Sequence, residues 1–332
     1  MSPIPSETSG RFPWKRSLLT GAVIGTLFGV LFRLVAGSHF YSSYSGSMLM
    51  TVAFLVLGPF YIGFVTLQVA EEVGNRSVAV WIFAPWVPVL LSALISACLL
   101  LEGAICIVFA LPITLLFSSF GGVLAGLISR SDRRLSNSTL SCLALVPLLL
   151  APAESLLPSP VLIRTVSSQI RIHAPVPTIW RNIERVPTIS PAELRTSWAQ
   201  RIGFPRPVEA TLSYEGVGGI RHATFERGLT FIETVTAWEP EHRLAFGIKA
   251  DTAHIPPTTL DEHVTIGGRY FDILDGEYRV EPLANGDVLL HLTSHQRLST
   301  DFNGYAGFWS DAVMQNLQTS ILEVIRHRCE HA

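Results

Sequence analysis

Charge is scarce in the first half of this 332-residue chain. Charged residues are 15% of the whole, and between Ser77 and Ser129 the only one is Glu102. That scarcity excludes an ordinary soluble domain for residues 17–153. A basic excess is missing too. The formal net charge is −2 and the pI is near 6.6, so the electrostatic footprint of a nucleic-acid-binding protein is absent. Of four cysteines, Cys98, Cys106 and Cys142 lie in apolar segments and only Cys329 lies in the polar half. No disulfide framework can form within that half, and no CxxC or Cys/His metal spacing exists. Gly216-Val217-Gly218-Gly219 lacks dinucleotide spacing, and there is no nucleophile elbow or phosphate-binding loop. Neither a metal nor a cofactor is expected.

What fills the charge-poor half is long apolar runs. Lys15-Arg16 precedes a run from Ser17 to Ala36, long enough to cross a bilayer core. Gly21, Gly25 and Gly29 recur on it every fourth residue, giving one face without side chains for helix–helix association. Arg33, near its far end, can snorkel to the interface. A second run covers Met48–Ala70 and ends at Glu71-Glu72. Ser77–Ser129 holds two more spans with a turn near Leu101-Glu102-Gly103, where Glu102 is either a turn residue or an intramembrane acid. Leu140–Pro152, extendable to Leu157, is a short last segment.

Basic residues orient the spans. Lys15, Arg16, Arg130, Arg133 and Arg134 belong on the cytoplasmic side, and Gly37–Ser47, without Lys or Arg, lies outside. Four spans put the C-terminal half in the cytoplasm and five put it outside; five is the favoured expectation. The chain thus reads as a cytoplasmic tail (1–16), a membrane domain of four to five transmembrane helices (17–157), a Pro/Ser-containing linker (158–165) and a soluble domain (166–330). The expected setting is an integral membrane protein of the plasma or inner membrane.

The soluble half alternates in strand period. In Tyr214–Ile248 the reversals fall at Arg227-Gly228 and Glu239-Pro240-Glu241. Between them Leu229, Phe231, Glu233, Val235 and Ala237 share one face; Thr230, Ile232, Thr234, Thr236 and Trp238 share the other. A strand over Val166–Ile172 is expected first, then helices over Val176–Ile183 and Ser190–Ile202. Strands near 208–214, 219–226, 230–238, 243–250 and 269–274 follow. Asp275-Gly276 and Asn285-Gly286 read as hairpin turns, bracketing 277–281 and preceding 287–297. Thr300 or Asp301 is a candidate cap for a last helix over 304–329, with Val313, Leu317, Ile321 and Val324 as its stripe. The fold class implied is an all-α transmembrane bundle followed by an α+β domain, a curved antiparallel sheet over a long C-terminal helix.

Five segments carry a family resemblance: HAPVPTIW (173–180), EGVGGIRHATFERG (215–228), TFIETVTAWEPEHRLAFGI (230–248), YRVEPLANGDVLLHLTSHQRL (278–298) and YAGFWSDAV (305–313). With the element order they resemble the SRPBCC superfamily, the START-like and polyketide cyclase/dehydrase helix-grip domains, over about Arg164–Glu330. In particular the chain looks like a subgroup in which such a domain follows several membrane helices. The resemblance implies a deep cavity between sheet and terminal helix for lipids, sterols, polyketides or other apolar ligands. It transfers no catalytic set.

Residues expected to line such a cavity are Phe225, Phe231, Glu233, Val235, Phe246, Phe271, Phe308, Trp309 and Val313, each equally suited to core packing. Glu233 among apolar neighbours needs a partner or a raised pKa, and Arg221 or His222 can supply the partner. His222, His254 and His263, with Asp261, Glu262 and Asp272, have no metal-site spacing. The leading expectation is membrane-tethered binding or transfer of an apolar small molecule or lipid, not catalysis. The alternatives are a cyclase-, aromatase- or hydrolase-like enzyme using Glu233 and His222 as acid and base, and an interaction module with a filled interior. The bilayer and the apolar ligand are the expected partners, with no nucleic acid.

Overall fold

The computed structural model describes residues 13–37, 48–70, 76–131, 135–194, 196–251 and 266–331. The chain divides into two compact units, residues 1–102 with 107–158, and residues 103–106 with 159–332.

The first unit is helical. Its elements are α1 (Pro13–Ala36), a 3-10 turn (Met48–Met50), a π turn (Ala53–Leu57), α2 (Gly58–Gln68), α3 (Val78–Phe83), α4 (Trp86–Cys98), α5 (Ala104–Arg130) and α6 (Asn137–Ser155). Four segments, Trp14–Ala36, Val78–Cys98, Ala104–Arg130 and Asn137–Ser155, are long and apolar enough to cross a membrane; Ala53–Gln68 is shorter. The segment read as one span over 48–70 is thus an irregular helix. Pro59 has no N–H to give to the Leu55 carbonyl, and the widened π turn stands just before it.

Small residues let these helices meet backbone to backbone. A Cβ on Gly21 would collide with the Thr66 carbonyl oxygen, and one on Gly25 would lie 3.2 Å from the side chains of Ile62 and Pro88. Gly63 of α2 sits on the Ser118 carbonyl of α5, and Gly121 of α5 sits on the Phe60 carbonyl of α2. The α1 glycine stripe is therefore occupied within the chain, by α2 and α4.

Two apolar clusters mark opposite ends of this bundle. One joins Leu18, Phe64, Leu67, Ala70, Trp81, Ala125 and Leu140; the other joins Phe32, Ala36, Met48, Ala53, Leu148 and Ala151. Since α6 contributes Leu140 to the first and Ala151 to the second, it runs the depth of the bundle as α1 does. At the second end Arg33 is paired with Glu102 and donates to the Leu101 carbonyl instead of reaching outward. Glu154 accepts from the Val52 and Ala53 amides at 2.6 and 2.9 Å. A buried cation in apolar surroundings takes the nearest carboxylate.

The second unit is a seven-stranded antiparallel sheet with helices on one face. It comprises β1 (Leu162–Ile172), α7 (Val176–Glu184), α8 (Trp198–Arg201), β2 (Pro207–Leu212), β3 (Ile220–Phe225), β4 (Thr230–Glu239), β5 (Arg243–Asp251), β6 (Phe271–Pro282), β7 (Val288–Leu298) and α9 (Asn303–Glu330). The order across the sheet is β1-β7-β6-β5-β4-β3-β2. Hydrophobic burial closes it: Ile172, Leu244, Leu290 and Val280 meet Ile179 and Trp180 of α7 and Leu322 and Ile325 of α9. The helix grips the sheet through Met314, Gln318, Leu322, Ile325 and Cys329 together with Val313 and Val324 of the expected stripe, and Ile321 packs partly buried against the core.

Several local expectations give way to tertiary context. Among the described residues of 190–202, only Trp198–Arg201 is helical, behind a capping box of Ser197 and Gln200. Upstream, the Val186 and Ile189 amides bond to the Ala210 and Val208 carbonyls, extending the sheet instead. Asp275-Gly276 is not a turn but lies inside β6, beside a bulge. A Cβ at Gly276 would lie 2.6 Å from the Phe246 ring, so glycine there serves packing rather than reversal. The Asn285-Gly286 hairpin does form, with Gly286 at φ +89°. α9 has no Thr300 or Asp301 cap; Asn303 Oδ1 accepts from the Thr300 amide at 2.8 Å. A bulge between Val235 and Ala237 also switches the strand's faces, so Trp238 packs inward against Trp180.

Candidate functional site

Strand alternation fixes what faces the helices. On β3 these are Arg221, Ala223 and Phe225; on β4 they are Phe231, Glu233 and Val235; on β5 they are Leu244, Phe246 and Ile248. The register sets Arg221 opposite Glu233 and Ala223 opposite Phe231. Arg221 and Glu233 form an ion pair with both side chains buried, and the guanidinium lies 5.5 Å from the Phe246 ring centroid. The Tyr278 hydroxyl is beside them and, by burial, is pushed up to about 12. Burial raises the Glu233 carboxyl above the ordinary range, against the lowering effect of Arg221. Arg221 Nε is buried without a hydrogen-bond partner.

The expected site residues divide by position. Val235 and Phe246 belong to the closed cluster under α7. Phe225 and Phe231 meet edge to face at 5.3 Å in a second cluster with Ala223, Ile273 and Met314. Around this cluster Phe225, Ile248, Ala250, Ile266 and Phe271 are only partly buried. Val313 is buried on α9, Trp309 is half-buried, and Phe308 points to solvent with 64% of its surface exposed. Phe308 is thus outside the inner face. Glu233 does not meet His222, which is exposed on the opposite side of β3 because neighbouring strand residues face opposite ways. His254, His263, Asp261 and Glu262 lie outside the described residues. Among the described residues, no three His, Cys, Asp or Glu side chains are grouped to hold a metal.

Residues unremarked in the sequence build a polar strip between α9 and the sheet. Gln318 donates to the Val166 carbonyl at 3.1 Å and to Ser294 Oγ at 3.0 Å, and accepts from Ser168 at 2.8 Å. Gln296 donates to Asp311 at 2.8 Å, and Arg164 pairs with the same carboxylate. Gln296 Oε1 is buried without a partner. No sequence signal marks either glutamine. The inner face therefore combines an apolar patch that is only partly buried with two buried polar atoms, Arg221 Nε and Gln296 Oε1, that make no hydrogen bond.

The outer face is different. An open depression of about 620 Å³ there is lined by Arg243, Asp275, Glu277, Arg279, His291 and His295, among others. Its polar groups satisfy one another: Asp275 meets His295 at 2.6 Å, Glu281 meets His291 at 2.9 Å, and Glu277 receives both arginines.

No family model matches the chain, and no curated protein matches it. Solved structures similar to the C-terminal half do exist. One is an uncharacterised protein from Rhizobium leguminosarum, 12% identical over 52% of this chain and 98% of its own, with a TM-score of 0.32. A START superfamily protein from Mycobacterium smegmatis is 12% identical over 50% of this chain and 97% of its own, at 0.33. Norcoclaurine synthase from Thalictrum flavum is 12% identical over 50% and 92%, at 0.31.

Proposed function

We propose that the C-terminal unit binds an apolar or amphipathic molecule, a membrane lipid above all, on the inner face of its sheet, and that the helical unit anchors it in a bilayer. The observation that carries this reading is the partly covered apolar surface formed by Phe225, Ile248, Ala250, Ile266 and Phe271 beside Phe231. Apolar side chains on the inner face of a sheet are normally sealed, and an apolar patch that is only partly buried has the chemistry of a ligand site. The Arg221–Glu233 pair serves as its polar anchor rather than as an acid–base couple, because Arg221 holds the carboxylate.

Ala250 tests this. We expect the full-length protein, purified in mild detergent, to carry a lipid-sized molecule that Ala250→Trp loses without loss of folding. Mass spectrometry of solvent extracts from both proteins makes the comparison, and bulk lipid around the helices cancels in it. An identical lipid complement would favour the filled-interior interaction module, the reading supported by closed packing under α7.

The bundle supports five crossings. α6 runs from the cluster near Leu18 to the cluster near Ala36, so Trp14 and Ser155 are at opposite ends. Lys15, Arg16, Arg76 and Arg130 fall at the first end, as the positive-inside rule requires of a cytoplasmic face. The ligand-binding unit is then extracytoplasmic. A reporter active only outside the cytoplasm, fused after Ala332, should be active; one active only in the cytoplasm should be silent, and the reverse pattern would sink the assignment.

A further inference from the structure

One rim of the C-terminal unit gathers the first residues of β1, β6 and α9. The register sets Leu162 against Leu298 and Leu298 against Phe271. Asn303 donates to the Pro160 carbonyl, which ties the start of α9 to the chain entering β1. Three apolar side chains stand out from this rim: Val161 (64% exposed), Ile163 (51%) and Phe308 (64%). Behind Phe308 lie Trp309 at 5.2 Å and Tyr305, edge to face in an aromatic group. Arg269 is exposed on the same rim, and Arg297 braces it through the Arg269 and Gly268 carbonyls.

Solvent-facing apolar residues backed by Trp and Tyr, with arginine alongside, are the composition of a membrane interface, where amphipathic rings and guanidinium groups sit at headgroup level. Chain length adds an independent argument. Residues 156–161 are all that separates the end of α6 from β1. Fully extended they reach at most about 25 Å, so the β1 rim cannot leave the neighbourhood of the bilayer that α6 enters. The other exposed apolar side chains of the unit, Trp198 on α8 and Tyr214 and Val217 in the β2–β3 connection, have no such tether. Asp251, Asp272 and Asp301 share the rim, so its affinity is for the apolar and aromatic layer and does not rest on net positive charge.

We infer that this rim seats in the lipid headgroup layer, with Phe308 as its deepest side chain. The inference rests on the membrane reading and extends it. The partly covered inner surface reaches the same rim, since Phe225, Ala250 and Phe271 lie at the matching ends of β3, β5 and β6. A lipid would enter there directly from the bilayer, without crossing water.

Full-length protein lacking its native cysteines, carrying Phe308→Cys or Ala284→Cys with an environment-sensitive fluorophore, is reconstituted into phosphatidylcholine vesicles. Ala284 is exposed on the far hairpin and serves as the comparison. Lipids bearing doxyl groups high on the acyl chain should quench the probe at 308 several-fold more strongly than the probe at 284. Equal quenching at both positions overturns docking. A Val161→Cys probe quenched while 308 is not would show a tethered but undocked domain, and overturns it as well. Flotation of the vesicles comes first. A chain that fails to float removes the membrane reading itself, whereas a chain that floats with 308 unquenched removes only the docking.

Discussion

Replacing Glu233 with alanine is expected to destabilise the C-terminal unit by about 3–5 kcal/mol, because it leaves the Arg221 guanidinium charged, buried and without its counter-ion. Glu233→Gln should cost less, since an amide oxygen still accepts from Arg221. The double replacement Arg221→Met/Glu233→Leu removes both charges and should be near neutral or stabilising by up to about 4 kcal/mol, as for other buried pairs exchanged for apolar residues of similar volume. Urea titration of the detergent-solubilised chain, read by proteolysis of the C-terminal unit, measures all three. If the pair anchors a ligand, the double variant is stable but empty in the extraction assay. If it is only structural, the double variant keeps its lipid. The pH dependence has a definite sign. With its native pKa raised by burial, Glu233 contributes stability that is complete below the unfolded carboxylate value and is lost as pH rises through the raised native one. Glu233→Gln should flatten that part of the profile.

Gly63→Leu or Gly121→Leu should abolish the folded bundle rather than merely weaken it. Each glycine presses on a backbone carbonyl of the other helix, Gly63 on Ser118 and Gly121 on Phe60. No rotamer change can relieve a clash between a new Cβ and a backbone, so α2 and α5 must separate. Separation also exposes Thr66, Ser118 and Ser119, which are buried in the bundle. Overpacking a core typically costs about 1–3 kcal/mol, and a backbone-level clash lies at or beyond the upper end. The expected result is aggregated material on size exclusion in detergent, against a single species for the parent. Ala79→Leu, exposed on α3, tests whether any added leucine would do the same. A monodisperse Gly121→Leu protein would mean that these two helices do not meet as described.

Much of this architecture was legible in the sequence, and the exceptions share a cause. Period-two alternation placed six strands well because each has one face toward a core. It failed where a strand's pattern was changed by a neighbour. The bulge at Val235–Ala237 exchanges the faces of Trp238 and Ala237. The β6 glycine at 276 is explained only by Phe246, thirty positions away in sequence. The helix over 190–202 shrinks to Trp198–Arg201 for a related reason: the chain just before it pairs with β2 and Glu193 is held by Arg328 of α9, partners that local propensity does not anticipate. At the candidate site, Arg221 was one of two partners the sequence allowed for Glu233, and register alone selected it. Gln318 and Gln296 carry no signal in the sequence, because their partners, Val166, Ser294 and Asp311, come from distant strands and the last helix. The Arg33–Glu102 pair was hidden because its members are far apart in the chain and meet only when α1 and the α4–α5 turn come together.

The strand order has a consequence for synthesis. β1 is the first strand to leave the ribosome, and its single neighbour in the sheet is β7, the last. On the order of a hundred residues must be made before that ladder can close, a separation of the kind that slows folding. Until then β1 is a lone strand joined by six residues to the apolar helix α6, with every ladder hydrogen bond unformed. Any chain that ends before Val288 leaves it so, and an unpaired strand of eleven residues is an edge on which other nascent chains can add. Completion of the sheet is therefore a late, nearly all-or-none event that depends on β7, and the first residues of the domain are the ones that wait longest for it.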